Sequence, residues 1–269
     1  MSAAPTPHAN SDELVLMRTD QAGVATLTLN RPRQYNALSI ELLDALQTTL
    51  DKIVQDAGVR VVVIAGAGKA FCAGHDLKEI RSNHSEAFIK DTFARCGRMM
   101  MTLTRLPQPV IARAHGIVTA AGCQLVAQCD LAVAASDARF ATSGINLGLF
   151  CSTPGVALAR NVPRKRAMEM LMTGDFIDAP AALSYGLVNR VVAPEQLDAE
   201  IDKLARAIIA KTPVAVAAGK KAFYQQIELG LAGAYGVAAD AMTCNMMATD
   251  AAEGIDAFMQ KRKPVWQGK

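Results

Sequence analysis

Five consecutive apolar residues, Val61-Val62-Val63-Ile64-Ala65, constrain this chain more than any other feature. Four of the five are β-branched, so the run favours a strand. Because it does not alternate with polar residues, both faces of that strand must be covered. A strand covered on both sides belongs to a sheet flanked by helices, and the neighbouring segments supply them. Ser39 can cap a helix in which Leu42, Leu43, Leu46, Leu50 and Ile53 share one face, with Gly58 as a stop. A second helix is expected over residues 86–106, ending before Pro107. Strands at 109–114 and 131–135 bracket a helix near 120–128. Such alternation predicts parallel pairing through right-handed crossovers, hence an α/β fold. Ahead of it, residues 14–18 and 24–29 read as two strands turning at Gly23.

After a strand-like segment at 187–192 the pattern changes. Residues 195–211, 213–229, 233–248 and 251–260 all read as helix. Their apolar stripes need a partner surface, either this chain's own core or a neighbouring subunit. The expected division is therefore a tail over residues 1–12, an α/β core over 13–193 and a helical region over 194–269. The tail is polar, with Pro5 and Pro7, and has no apolar stretch of signal-peptide type.

Charge excludes some partners. A net charge of +3 over 269 residues offers no basic footprint for nucleic acid. No apolar run is long enough for a transmembrane helix. The six cysteines form no C-x-x-C pair and several lie in apolar runs, so buried free thiols in a reducing compartment are expected. The four histidines lack zinc-like spacing, and no metal is expected. Gly66-Ala67-Gly68-Lys69 lacks the first glycine of a phosphate loop, and Ser152 lies between Phe150 and Pro154 rather than in a nucleophile elbow.

Two small-residue stretches remain, Lys69 to Lys78 and His115 to Leu125, each following a strand end where parallel sheets present loops to ligands. Ala120, Ala121 and Gly122 should form the first turn of a helix, whose N–H groups lack intrahelical partners. Such donors suit a developing oxyanion. The same small residues would equally serve close packing, and the stretch alone leaves both readings open.

The motifs taken in order resolve this by resemblance. Asn30-Arg31-Pro32, Asn36-Ala37-Leu38, the two small-residue loops, Leu171-Met172-Thr173-Gly174 and Phe258-Met259-Gln260-Lys261-Arg262-Lys263-Pro264 resemble the crotonase superfamily, the enoyl-CoA hydratase/isomerase family. The likeness runs from about residue 14 to 266. Within the family, Cys151-Ser152-Thr153-Pro154-Gly155 is similar to a mitochondrial-type subgroup. The resemblance implies a spiral of ββα turns in two roughly perpendicular sheets. It also implies a C-terminal helical trimerisation region, and trimers paired into hexamers. Coenzyme A enters as part of the acyl-CoA substrate, with no permanently bound cofactor. The cytoplasm is the expected compartment, or the mitochondrial matrix in a eukaryote.

By position, the resemblance makes the backbone N–H groups of His75 and Ala121 the oxyanion-hole donors. It runs coenzyme A along Ala73, His75, Asp76, Leu77 and Lys78, with Arg33 and Lys69 toward its phosphates and Phe258 and Lys261 reaching it from a neighbouring subunit. Solvated surface charge is the commoner fate of residues such as Arg33 and Lys69. Asp76 also reads as a helix N-cap, with Glu79 closing a capping box. The chain departs from the family at both hydratase glutamates, where it has Gln124 and Gly144. Gln transfers no proton at neutral pH and Gly has no side chain. Ordinary hydration is therefore not expected, and Asn146, Ser143, Cys151, Ser152 and the His75 imidazole are the remaining polar candidates, with the His75 side chain expected to point away while its N–H works. Enolate stabilisation is the expected device. Malonyl-type decarboxylation and non-catalytic acyl-CoA binding are the alternatives.

Overall fold

The computed structural model describes residues 14–269, so the expected N-terminal tail lies outside the described residues. Strands β1 (Leu16–Gln21) and β2 (Val24–Leu29) form a hairpin turning at Ala22 and Gly23. The first strand runs three residues past the sequence expectation, because its outer face is solvent-exposed and carries no apolar signal. Helix α1 (Ile40–Val54) follows, capped by Ser39, whose Oγ accepts from Leu42 N. Its expected stripe of Leu42, Leu43, Leu46, Leu50 and Ile53 is buried.

The next three turns share one plan: a long strand enters a first sheet, a short strand enters a second, and helix closes the turn. These are β3 (Val61–Gly66), β4 (Ala70–Cys72), α2 (Leu77–Ser82) and α3 (Glu86–Arg105); then β5 (Val110–Ala114), β6 (Ile117–Thr119) and α4 (Ala121–Gln128); then β7 (Leu131–Ala135), β8 (Arg139–Ala141), α5 (Ser152–Asn161) and α6 (Arg164–Thr173). Short β9 (Ile177–Asp178), α7 (Ala179–Ser184) and β10 (Arg190–Val192) complete the sheets. The large sheet is ordered β1-β2-β3-β5-β7-β10, parallel except for its first pair, and the small one β4-β6-β8-β9. All five residues of the apolar run in β3 are buried. One core packs α1, α3 and α4 beneath the large sheet. A second cluster on its other face is closed by α8 (Leu197–Ile209).

Helices α9 (Pro213–Gln226), α10 (Leu231–Met246) and α11 (Thr249–Met259) follow. No residue of α9 or α10 is fully buried. What fastens α9 is polar: Lys220 Nζ donates to Asp130 Oδ2 at 2.6 Å and to the Leu103 and Gln108 carbonyls, while Tyr224 donates to Asp130 Oδ1. At the other end Asp250 accepts from Thr212 Oγ1 and from the Gln267 and Gly268 N–H groups, tying the C-terminal strap to α11.

Candidate functional site

Two loops, Ala73 to Asp76 and Gly116 to Ala121, are pressed together by residues without side chains. A β-carbon on Gly116 would lie 2.1 Å from Lys69 O, one on Gly122 2.1 Å from Cys72 O, and one on Gly74 2.8 Å from the Ala120 β-carbon. None of these contacts tolerates a methyl group, so small residues here are a packing requirement. The Thr119 hydroxyl adds a bond to the Ala73 carbonyl at 3.0 Å. His115 Nε2 lies 2.9 Å from Gly68 O and holds the start of the second loop.

This packing leaves two N–H groups without an internal acceptor. Leu38 N donates to Gly74 O at 2.7 Å and Asp76 N donates to Leu38 O at 3.1 Å, the flanking bonds of a parallel bridge between Leu38 and His75. Backbone groups alternate along a strand, so the N–H of His75 points away from Leu38. Ala121 is the first residue of α4, where the N–H has no intrahelical acceptor. Among the described residues no loop, cap or side-chain acceptor meets either N–H. Ala120, just before, sits at φ 49° and ψ −119°, a conformation that costs a residue with a β-carbon about 1–3 kcal/mol. The loop residue that orients one donor is thus strained.

His75 and Ala121 both line a cavity of about 1370 Å³ whose wall is mostly apolar. Its walls include Ala73, His75, Leu77 and Lys78 from the first loop and α2, Ala120 and Ala121 from the second, and Ser143, Gly144 and residues 147–154 opposite. Among the described residues no aspartate or glutamate lines it. Lys78 and Arg81, both on α2, supply cationic groups, and neither has a carboxylate partner among the described residues. Arg81, His84, Ile89 and Phe93 were absent from the sequence reading. The i, i+4 spacing of Ile89 and Phe93 on α3 was the available signal.

Of the other expected positions, Asp76 caps α2 by accepting from Lys78 N and Glu79 N, and pairs with Arg31 at 2.8 Å. Burial opposes its ionisation, but the Arg31 guanidinium and those two N–H groups hold its carboxyl below the usual range. The expected capping box does not close. Glu79 instead accepts from Ile40 N at 2.9 Å, because folding brings the start of α1 within its reach. Asn36, buried with φ 56°, binds the Ala67 and Ala70 carbonyls and so sets the first loop's base. Arg33 and Lys69 are exposed and lie outside the cavity lining, as do Phe258, 84% exposed near the end of α11, and Lys261 just after it. Asn146 lies in a short 3₁₀ turn (Ser143–Leu147) with its amide against Gly174 rather than in the cavity wall.

The two positions of the family glutamates differ in kind. Gln124 is buried in the first turns of α4, and its Oε1 has no hydrogen-bond partner. Gly144 lines the cavity, but the space for a side chain is occupied: a β-carbon there would lie 2.7 Å from both Cys151 Sγ and Leu149 O. Leu149 N donates back to Gly144 O at 3.0 Å and shuts the turn. Cys151 is buried, and burial raises its thiol pKa, so it stands as a neutral thiol. The His75 ring packs edge-on against Phe93 with centroids 5.1 Å apart. Burial lowers its pKa to about 4, against a hydrogen bond with the Leu38 backbone that favours the charged form, so the imidazole is uncharged near neutrality.

A spiral of ββα turns that feeds two sheets and brings two small-residue loops to one large, mainly apolar cavity is the crotonase fold class. The family described as enoyl-CoA hydratase/isomerase matches residues 19–269, and the chain belongs to that family. It is 44% identical over 259 residues to enoyl-CoA hydratase domain-containing protein 3, mitochondrial, of Xenopus laevis, covering 96% of this chain and 88% of that protein. The crystal structure of the human protein of that name superposes with a TM-score of 0.91 at 43% identity, over 94% of this chain and all of the other. An enoyl-CoA hydratase structure from Mycobacterium smegmatis superposes at 0.93 with 58% identity, over 94% and 99% of the two chains. Among the described residues no helix is long and apolar enough to cross a membrane.

Proposed function

We propose that this chain is an acyl-CoA enzyme whose main catalytic device is stabilisation of a thioester enolate between the N–H groups of His75 and Ala121. The carrying observation is that these two N–H groups lack acceptors among the described residues and that both residues line one apolar cavity. Donors fixed in a water-poor site act most strongly where charge develops, and one such donor contributes about 10²–10³ in kcat. Coenzyme A enters with the substrate. Lys78 and Arg81 support a phosphate-binding end along α2. Gln124 and Gly144 at the two glutamate positions, with no other carboxylate among the described residues of the lining, argue against hydration through two carboxylates.

Decarboxylation of a malonyl-type acyl-CoA is the reaction that a carboxylate-free wall favours. The bond from C2 to the substrate carboxylate breaks, its electron pair enters the thioester enolate, carbon dioxide leaves, and C2 takes a proton from water. No protein base is needed to begin. A cavity wall without anions also avoids repelling the substrate's carboxylate.

The C-terminal helices support self-association as trimers or hexamers. Leu231, Tyr235, Met242, Met247, Phe258 and Met259 are all exposed on α10, α11 and the residues between them. Apolar exposure on this scale marks an interface. Sedimentation as a monomer at micromolar concentration would remove that part of the reading.

The test is turnover of crotonyl-CoA and methylmalonyl-CoA side by side, with products identified by mass. Decarboxylation without hydration is expected, and Ala121→Pro, which removes one donor, should abolish it. Fast hydration of crotonyl-CoA would overturn the mechanism. Tight coenzyme A binding with no turnover of any thioester would make the chain a binder.

A further inference from the structure

The acyl-CoA reading accounts for the two N–H groups and the cations of the cavity, but not for the rest of its wall. Lys78, Arg81, Ser82 and His84 gather on α2 and just after it. The stretches 89–93 on α3 and 147–150 in the turn opposite bring no charged group to the lining. They bring Ile89, Phe93, Leu147, Leu149 and Phe150, and Leu77 joins them from the start of α2. The wall thus divides into a stretch with cations and a larger apolar part.

Much of that apolar part is open to water. Leu147 is 63% exposed, Leu149 57% and Phe150 47%. A folded chain seldom leaves an apolar patch beside a cavity unless a ligand or a partner covers it. These side chains line the same cavity as His75 and Ala121, so a thioester that meets the N–H groups carries their cover with it. Size points the same way. Ligand cavities usually hold about 300–1,000 Å³, and this one holds about 1370 Å³. A chain methylene fills roughly 30 Å³, about the liquid share of one water molecule. A short acyl group therefore leaves most of the apolar wall wet, whereas each added methylene takes wall and chain out of water together.

We propose that this cavity selects acyl-CoA esters with a medium or long apolar acyl chain, and that Leu147, Leu149 and Phe150 are the specificity-determining residues. The inference rests on the acyl-CoA reading and adds the length of the chain, whichever bond at the thioester end reacts. In a malonyl-type ester the chain is a substituent on C2.

Calorimetric titration of the full-length protein with butyryl-CoA, octanoyl-CoA and dodecanoyl-CoA, each below its micellar concentration, tests this. A methylene removed wholly from water multiplies affinity about fourfold, and about twofold against a half-exposed wall. Octanoyl-CoA should therefore bind about tenfold more tightly than butyryl-CoA, at one site from which butyryl-CoA displaces it. Its heat capacity change on binding should be the more negative, a mark of apolar burial that needs no variant to fold. Leu147→Ser combined with Phe150→Ser, both at exposed positions, should bring the octanoyl-to-butyryl ratio below about threefold whatever the absolute affinities. Equal affinity for the three esters, or a preference unchanged in the double variant, would overturn the inference. So would octanoyl-CoA binding that butyryl-CoA does not displace, because the chain would then lie on the exposed C-terminal helices. Failure of every ester to bind would overturn the acyl-CoA reading itself, and the two failures are distinguishable.

Discussion

A β-carbon on Gly74 would stand 2.8 Å from that of Ala120, so the residues immediately before the two donors, His75 and Ala121, are in contact. The spacing of the donors is thereby set by a single close approach of two loops that are about 45 residues apart in sequence. Both residues have positive φ, 96° for Gly74 and 49° for Ala120. The contact is a point of strain as well as of alignment.

Gly74→Ala should therefore lose both stability and activity. The methyl group meets Ala120 and the residue is forced to a φ that suits glycine, which together cost at least about 2 kcal/mol. Urea denaturation measures the first loss and turnover of the preferred thioester the second. Ala120→Gly should act in the opposite sense on stability, raising it by about 1 kcal/mol as strain is released. Loss of stability in Ala120→Gly would show that the strained conformation is not costly here.

Restoring the family glutamates should not restore hydration. Gln124→Glu places a carboxylate at a buried position, whereas Gly144→Glu has no room beside Cys151 Sγ and the Leu149 carbonyl. The doubly substituted protein is expected to melt several degrees lower and to hydrate crotonyl-CoA no faster than wild type. A well-folded double variant that gained about 10²-fold or more in hydration would show that the turn at 144–149 yields easily.

His75 makes stability fall in mild acid. Its folded pKa is depressed to about 4 from an ordinary 6.5. Between these values the unfolded chain binds a proton that the folded chain refuses, so stability drops as pH falls from 6.5 to 4, by up to about 3 kcal/mol. His75→Phe should flatten that part of a stability-against-pH curve measured by urea denaturation. Parallel curves for the two proteins would mean the ring is not buried uncharged.

Lys220 should be among the most sensitive positions of the C-terminal region. It is buried, and although burial lowers its pKa, Asp130 opposes that shift and holds the ammonium group. Lys220→Met leaves Asp130 buried without its cation and should cost about 3–5 kcal/mol. Adding Asp130→Asn should recover part of the loss. A cost below about 1 kcal/mol would mean that water reaches the pair.

Much of this was legible in the chain. The β-branched run of β3 required cover on both faces, and the stripe of α1 and the alternation of strand and helix followed by periodicity alone. The substitutions Gln124 and Gly144 are visible as soon as the motifs are aligned by resemblance. The sequence does not mark helices α5 to α7, because their short amphipathic segments are interrupted by Pro154 and Pro180, in first turns where proline is tolerated, and by Pro163 at the N-cap of α6. The partner of Glu79 was misjudged because the nearest N–H groups in space belong to α1 and not to its own helix.

The sequence by itself determined which backbone could be built and which chemistry was missing, because hydrophobic period, glycine positions and absent carboxylates are properties of residues taken in order. Only the tertiary structure decided that Gly144 is closed off by Cys151, that Asn146 turns to Gly174, and that the His75 ring packs edge-on against Phe93. Those outcomes depend on contacts between segments distant in sequence, where a shift of an ångström separates a filled space from a usable one.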